Sequence, residues 1–280
     1  MTDRIPAKPL GRQGATIPAL GLGVFRMPGE DTARMVKTSL DLGYRLIDTA
    51  QIYGNEADVG RGVAESGVAR DQLFITTKVW VDNYRAEDLL RSTQESLARL
   101  RTDYVDLLLL HWPGDQAPLA EQIEALDETA ARGWARHIGV SNFNIGLMRQ
   151  ASALSKTPLV NNQVEYHPYL SQDKVLAEAG RLGMTVTAYF AMADGKVLAD
   201  PVIAGIARRL GKTPAQIALR WLVQQDNVVT LTKTLQTERA RANMQVFDFA
   251  LPAEDMHALS TLARPDGRIV SPDGLAPAWD

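Results

Sequence analysis

Eight short apolar runs recur along the chain, and the segments between them have the spacing of amphipathic helices. The runs are ALGLGV (19–24), YRLIDT (44–49), LFITTKV (73–79), VDLLLLH (105–111), HIGVSN (137–142), LVNNQVE (159–165), TVTAYF (185–190) and VVTLTK (228–233). They are near-continuous rather than alternating, as strands of a parallel sheet must be when helices cover its outer face. Between them, AEDLLRSTQESLARL (86–100) places Leu89, Leu90, Thr93, Leu97 and Leu100 along one face. TARMVKTSLDLG, LAEQIEALDETAARG and QDKVLAEAGRLG end at Gly43, Gly133 and Gly183, where glycine suits a helix C-cap. TPAQIALRWLVQQ opens with Thr213 and Pro214, an N-cap followed by the first-turn proline.

Eight strand–helix alternations without a Pro/Ser-rich linker predict one α/β domain over residues 1–280, a (β/α)8 TIM barrel. An open doubly wound sheet fits less well, because it would need fewer units and would be expected to carry a dinucleotide glycine fingerprint. The nearest such pattern, GRGVAE from Gly60, has Glu65 at the last glycine position. PLGRQGATIPAL, with a turn signal at Arg12–Gly14, predicts an N-terminal β-hairpin capping the barrel's bottom. PAEDMHALSTLA predicts an extra C-terminal helix, followed by the tail RIVSPDGLAPAWD.

Composition removes several functions. The chain has no cysteine, which excludes disulfides, zinc–thiolate sites and a cysteine nucleophile. Four histidines without H-E-x-x-H spacing predict no metal site. A net charge of −3 with dispersed basic residues gives no footprint for nucleic acid or an anionic membrane. The apolar run YVDLLLLHW is too short to cross a bilayer, and the opening MTDRIPAKPLGRQG lacks the apolar segment of a secretory signal. A cytoplasmic location is the expectation.

In a (β/α)8 barrel, chemistry sits at the C-terminal ends of the strands. Those ends carry Asp48, Lys78, His111, Ser141, Asn142, Gln163, Tyr189 and Lys233, with Tyr53 on the loop after the second strand. Taken singly, each has an ordinary use: Asp48 as a helix cap, Lys78 as a solvated strand end, His111 as a core histidine, Asn142 in a turn. Together they converge on one mouth, and polar groups closing buried runs are costly unless paired. A tyrosine ordinarily titrates near pH 10. A neighbouring ammonium would bring it down, and an aspartate would hold that ammonium in place. Asp48, Lys78 and Tyr53 supply this set, with His111 able to orient a carbonyl oxygen. The task implied is giving a proton to a carbonyl oxygen as charge develops there.

The segments GYRLIDTAQIYGNE, TTKVW, LLLLHWP, IGVSNF, NNQVEYHPYL, GKTPAQIALRW and NMQVFDFAL occur in order across the chain, which resembles the aldo-keto reductases. AYFAMADGKVLADP and the tail look most like that family's 2,5-diketo-D-gluconate reductase B branch. The resemblance implies NADPH as cofactor and a monomer. It also implies a catalytic tetrad at Asp48, Tyr53, Lys78 and His111, with Tyr53 as proton donor. Ser141, Asn142 and Gln163 would hold the carboxamide and Tyr189 would stack on the nicotinamide. Lys233, Thr234 and Arg239 would grip the 2′-phosphate, with Asn243 at the adenine. Thr232, Gln236, Ala242 and Phe190 depart from the usual pattern, so looser cofactor selection is expected.

Phe25, Trp80, Trp112 and Trp279 are the candidates for the substrate end. Small aldehydes, α-dicarbonyls such as methylglyoxal, and keto-sugars such as 2,5-diketo-D-gluconate fit this reading. Two alternatives stand beside it: a non-catalytic NADPH-binding regulatory subunit on the same fold, and a Schiff-base enzyme with Lys78 as nucleophile.

Overall fold

The computed structural model describes residues 5–280. Met1–Arg4, on which the reading of the N-terminus partly rests, lie outside them. An antiparallel hairpin, β1 (Ala7–Leu10) and β2 (Ala15–Pro18), comes first. Eight parallel strands then close on themselves: β3 (Leu20–Gly23), β4 (Leu46–Asp48), β5 (Phe74–Val79), β6 (Val105–Leu110), β7 (Ala135–Ser141), β8 (Leu159–Glu165), β9 (Thr185–Tyr189) and β10 (Val228–Thr232). They are ordered in sequence, and β10 pairs with β3 to complete the barrel.

Helices α1 (Gly29–Leu42), α2 (Glu56–Ser66), α3 (Ala86–Leu100), α4 (Leu119–Ala131), α5 (Ile145–Leu154) and α6 (Asp173–Leu182) each follow one of strands β3 to β8. Two, α7 (Pro201–Leu210) and α8 (Pro214–Gln224), fill the β9–β10 connection. The last two, α9 (Thr237–Met244) and α10 (Ala253–Ser260), follow β10, and α10 is the extra C-terminal helix. Thr213 and Gln216 form a reciprocal capping box at α8. The GRGVAE stretch lies within α2, where its glycines serve packing. A Cβ on Gly60 would lie 2.7 Å from the Arg99 carbonyl oxygen, and one on Gly62 2.5 Å from that of Ala33.

The hairpin plugs the bottom of the barrel. Leu10 and Ile17 bury against Leu46, Phe74, Leu107 and Val229, which lie inside it. Most strands stop one residue before the expected end, so His111, Asn142, Phe190 and Lys233 lie just past the ladder. For two of them the reason is conformational: Asn142 and Phe190 take left-handed backbone, with φ of 62° and 58°. No strand can continue through that region.

Candidate active site

Asp48 ends β4 between Gly23 of β3 and Thr76 of β5, which puts its carboxylate inside the barrel mouth. Its Oδ1 accepts from Lys78 Nζ at 2.5 Å and its Oδ2 from Gln163 Nε2 at 2.7 Å. Lys78 is fully buried and also donates to the Thr49 carbonyl at 2.9 Å. Desolvating two such charges costs several kcal/mol each. Their mutual contact and the added hydrogen bonds offset that cost.

Tyr53 closes a short 3-10 turn, Gln51–Tyr53, that ends at Gly54 with a φ of 68°. Asn55 fastens this loop by donating to the Val24 carbonyl at 3.0 Å and accepting from Thr49 Oγ1 at 3.0 Å. Gln51 Oε1 accepts from the Trp80 backbone N–H at 2.9 Å, tying the Tyr53 loop to the next one. The phenol ring lies over the lysine, with Nζ 5.2 Å from its centroid. His111 meets the ring edge-on at 5.6 Å and Phe25 packs on it at 4.9 Å.

The expectation of a Tyr53 pKa below its ordinary value is not met, because burial outweighs the lysine. Burial, and then the charge of Asp48, hold the phenol well above its ordinary value. The lysine does not reverse this because Asp48 sits closer to it than the ring does. Tyr53 therefore carries its proton at neutral pH, the state required of an acid. Burial also lowers Lys78, against the opposing pull of Asp48. His111 is pushed well below its ordinary value by burial and then by Lys78, so its imidazole is neutral. Its Nδ1 is buried without a partner among the described residues.

A second group of polar residues flanks this one. Asn142 Nδ2 donates to the His111 carbonyl at 2.9 Å, and Asn142 Oδ1 accepts from the Tyr189 hydroxyl at 2.7 Å. Ser141 Oγ donates to the Gln163 carbonyl at 2.8 Å. Asp48, Tyr53, His111, Ser141, Asn142 and Gln163 all border one cavity of about 500 Å³. Tyr189 and Lys233 line it too, while Lys78 lies beneath.

Beyond Lys233, Thr234 is buried and accepts from the Gln236 N–H at 3.1 Å. Lys233 and Arg239 are exposed and form no ion pair among the described residues. Asn243 is buried and donates to Thr232 Oγ1 at 2.6 Å. The threonine that departs from the family pattern thus orients the asparagine. Amide-bonding groups at one end and two free cations at the other suit a ligand with a carboxamide ring and a phosphate.

Phe25, Trp80 and Trp112 line the cavity beside the Tyr53 and His111 rings, and Trp80 meets His111 edge-on at 5.3 Å. Trp279 is not in the wall; it packs against Trp112 with centroids 6.3 Å apart. The wall also includes residues that sequence reasoning passed over. They are Arg26 and Ile52 at the rim, the loop from Phe190 to Gly195, and Val270, Pro272 and Leu275 of the tail. Only the loop left a signal, in the departure of Phe190 from the family's usual pattern.

No helix among the described residues is long and apolar enough to cross a membrane. Fold and mouth together define a barrel oxidoreductase. The model of the aldo/keto reductase family matches residues 19–264, and the chain belongs to that family. It is 47% identical over 268 residues to methylglyoxal reductase DkgB of Salmonella typhimurium, covering 95% of this chain and 100% of that protein. A solved structure assigned provisionally as a 2,5-diketo-D-gluconic acid reductase B is 58% identical, with a TM-score of 0.94 and 95% of each chain covered. An aldo-keto reductase of Bombyx mori, solved in complex with NADP, is 32% identical with a TM-score of 0.86 and 93% of each chain covered.

Proposed function

We propose that the chain reduces a small aldehyde or α-dicarbonyl, with methylglyoxal or a keto-sugar such as 2,5-diketo-D-gluconate as substrate and NADPH as cofactor. The observation that carries this reading is the placement of the Tyr53 phenol on the cavity wall above the buried Lys78–Asp48 pair. NADPH, when held by these residues, would supply the hydride for the carbonyl carbon. Tyr53 gives its proton to the carbonyl oxygen as negative charge builds there. Lys78 stabilises the phenolate left behind, and Asp48 holds Lys78 under the ring. The neutral His111 hydrogen-bonds the carbonyl oxygen and fixes its direction.

Ser141, Asn142 and Gln163 would hold the carboxamide, with Tyr189 against the ring. Lys233, Thr234 and Arg239 would take the 2′-phosphate and Asn243 the adenine. Phe25, Trp80 and Trp112 exclude water from the reacting carbonyl, backed by Trp279. A monomer, on the strength of the family resemblance, acting in the cytoplasm completes the reading.

The test is loss of NADPH absorbance with methylglyoxal and with 2,5-diketo-D-gluconate, repeated with NADH. Turnover that favours NADPH is expected. Tight NADPH binding without turnover of any carbonyl would instead support the regulatory-subunit alternative. Borohydride trapping of an adduct on Lys78 would support the Schiff-base alternative, which its full burial and pairing with Asp48 oppose.

A further inference from the structure

Three residues after Tyr53, Glu56 opens α2 with a carboxylate turned away from solvent. An acid in the first turn of a helix suits the helix dipole, but an exposed one serves that purpose. Glu56 is instead 1% exposed, and it lies outside the cavity wall. Its Oε1 accepts from Thr77 Oγ1 at 2.5 Å. Its Oε2 accepts from Arg99 Nε at 2.8 Å, and Arg99 Nη2 stands 2.7 Å from the same oxygen. A buried carboxylate is costly unless it is paired and hydrogen-bonded, and this one is both.

These contacts belong to a chain of bonds that returns to the Tyr53 turn. Arg99 Nη2 donates to Ser96 Oγ at 3.1 Å, and Ser96 Oγ accepts from Gln51 Nε2 at 3.2 Å. Gln51 starts the 3-10 turn that Tyr53 closes. Its Oε1 takes the Trp80 N–H and, at 3.1 Å, Asn83 Nδ2. The turn is therefore fastened on both sides of the phenol, to α3 through Ser96 and Arg99 and to β5 through Thr77.

Thr77 precedes Lys78 on β5, so the two side chains leave opposite faces of the strand. Glu56 thus holds the strand from outside the barrel, at the residue next to the lysine. The helices leave the clamp no slack: a Cβ on Gly60 of α2 would lie 2.8 Å from the Leu100 carbonyl oxygen at the end of α3. Burial lowers Lys78, and the charge of Glu56 acts with that of Asp48 to oppose it.

We propose that Glu56 is a positioning residue for the proton transfer: through Thr77, Arg99, Ser96 and Gln51 it fastens the turn that carries Tyr53 to the strand that carries Lys78, and so sets the phenol over the ammonium. This rests on the reading that Tyr53 is the proton donor. Glu56 bonds to none of the tetrad side chains, so its effect passes through the placement of the ring.

The test is a double-mutant cycle of Glu56→Gln with Tyr53→Phe, read by single-turnover reduction of methylglyoxal at saturating NADPH. Glu56→Gln keeps the side chain's shape, but an amide cannot accept from both Thr77 and Arg99. Arg99, whose side chain is 40% exposed, can turn to water in that variant. The rate should fall by about tenfold to a hundredfold, the cost of misplacing reacting groups by about an ångström. NADPH affinity, read by fluorescence titration, should not change. In the Tyr53→Phe background the same substitution should have almost no further effect, because the group it positions is gone. Thr77→Val removes one donor to Glu56 and should give a smaller loss in the same direction, which covers the case of Glu56→Gln folding poorly. A crystal structure of either variant should show the Tyr53 ring displaced from Lys78. Unchanged rates in both variants would overturn the proposal. So would equal losses with and without the Tyr53 hydroxyl, or a loss of NADPH affinity in place of rate. Absence of wild-type turnover would defeat the reductase reading instead, and the position of the ring in the variants would still decide whether Glu56 sets it.

Discussion

Each end of the barrel buries a carboxylate. At the bottom, Asp106 accepts from the Ile75 N–H at 2.9 Å and pairs with Arg70 at 2.8 Å and Arg136 at 3.2 Å. Those arginine side chains stay 22% and 48% exposed, and both stack on Tyr104, at 4.1 and 4.0 Å. At the mouth, Asp48 meets a lysine whose side chain is 0% exposed. The bottom pairings keep the cations hydrated, so they fasten strands at little electrostatic cost. The mouth pair gives up that hydration on both sides. A fold seeking stability alone would do better with apolar side chains there. The buried Lys78–Asp48 pair is intelligible through the phenol above it.

Lys78→Met should break this contrast most visibly. It leaves Asp48 buried without its cation, a change that costs about 3–5 kcal/mol. Denaturant unfolding measures the loss, and carbonyl reduction should collapse with it. Leu10→Ala probes the opposite end: emptying part of the hairpin plug should cost about 2–5 kcal/mol in the same unfolding experiment. Its kcat should stay at the wild-type value, because Leu10 belongs to the hairpin plug at the bottom of the barrel.

Arg239→Ala should raise the KM for NADPH by about tenfold to a hundredfold, the weight of a charge-assisted hydrogen bond to phosphate. The KM for NADH should not move. A loss shared equally by both cofactors would show that Arg239 does not read the phosphate.

The pH dependence separates the ends more finely. His111 has a folded-state pKa below its unfolded value, so between the two the unfolded chain binds more protons. The stability this neutral imidazole contributes is complete above the unfolded value, near pH 6.5, and is lost as pH falls from there towards the folded value. Half-buried His137, at the start of β7, is lowered as well and works in the same direction. His111→Gln should therefore flatten the acid side of the stability profile without levelling it. The smallest effect expected is that of Arg136→Ala, whose half-exposed ion pair is worth about 0.2–1 kcal/mol, with no change in turnover.

How much of this could be read from the sequence follows from the range of the forces involved. The leucine spacing of α3 predicts that helix to its ends, because a face that packs on a sheet leaves a periodic trace. The polar strand ends were visible for a similar reason, since Asp48, Lys78 and His111 interrupt apolar runs. Contacts distant in sequence left no such trace. Glu165 holds residues 104 and 105 positions away, and nothing in NNQVEYHPYL announces the tail as its partner. The sign of the Tyr53 shift is not legible in the sequence, which displays a nearby lysine but not the burial that outweighs it. The rim residues Ile52 and Leu275 look like any other apolar positions until the fold sets them around a cavity.

The central claim is that Tyr53 delivers the proton. Single-turnover reduction of methylglyoxal at saturating NADPH, compared between the wild type and Tyr53→Phe, tests it most directly. The account predicts a hydride-transfer rate lower by about 10²- to 10⁴-fold in the variant, the usual contribution of a positioned acid, with NADPH binding unchanged. A variant that reduces methylglyoxal at close to the wild-type rate would contradict it.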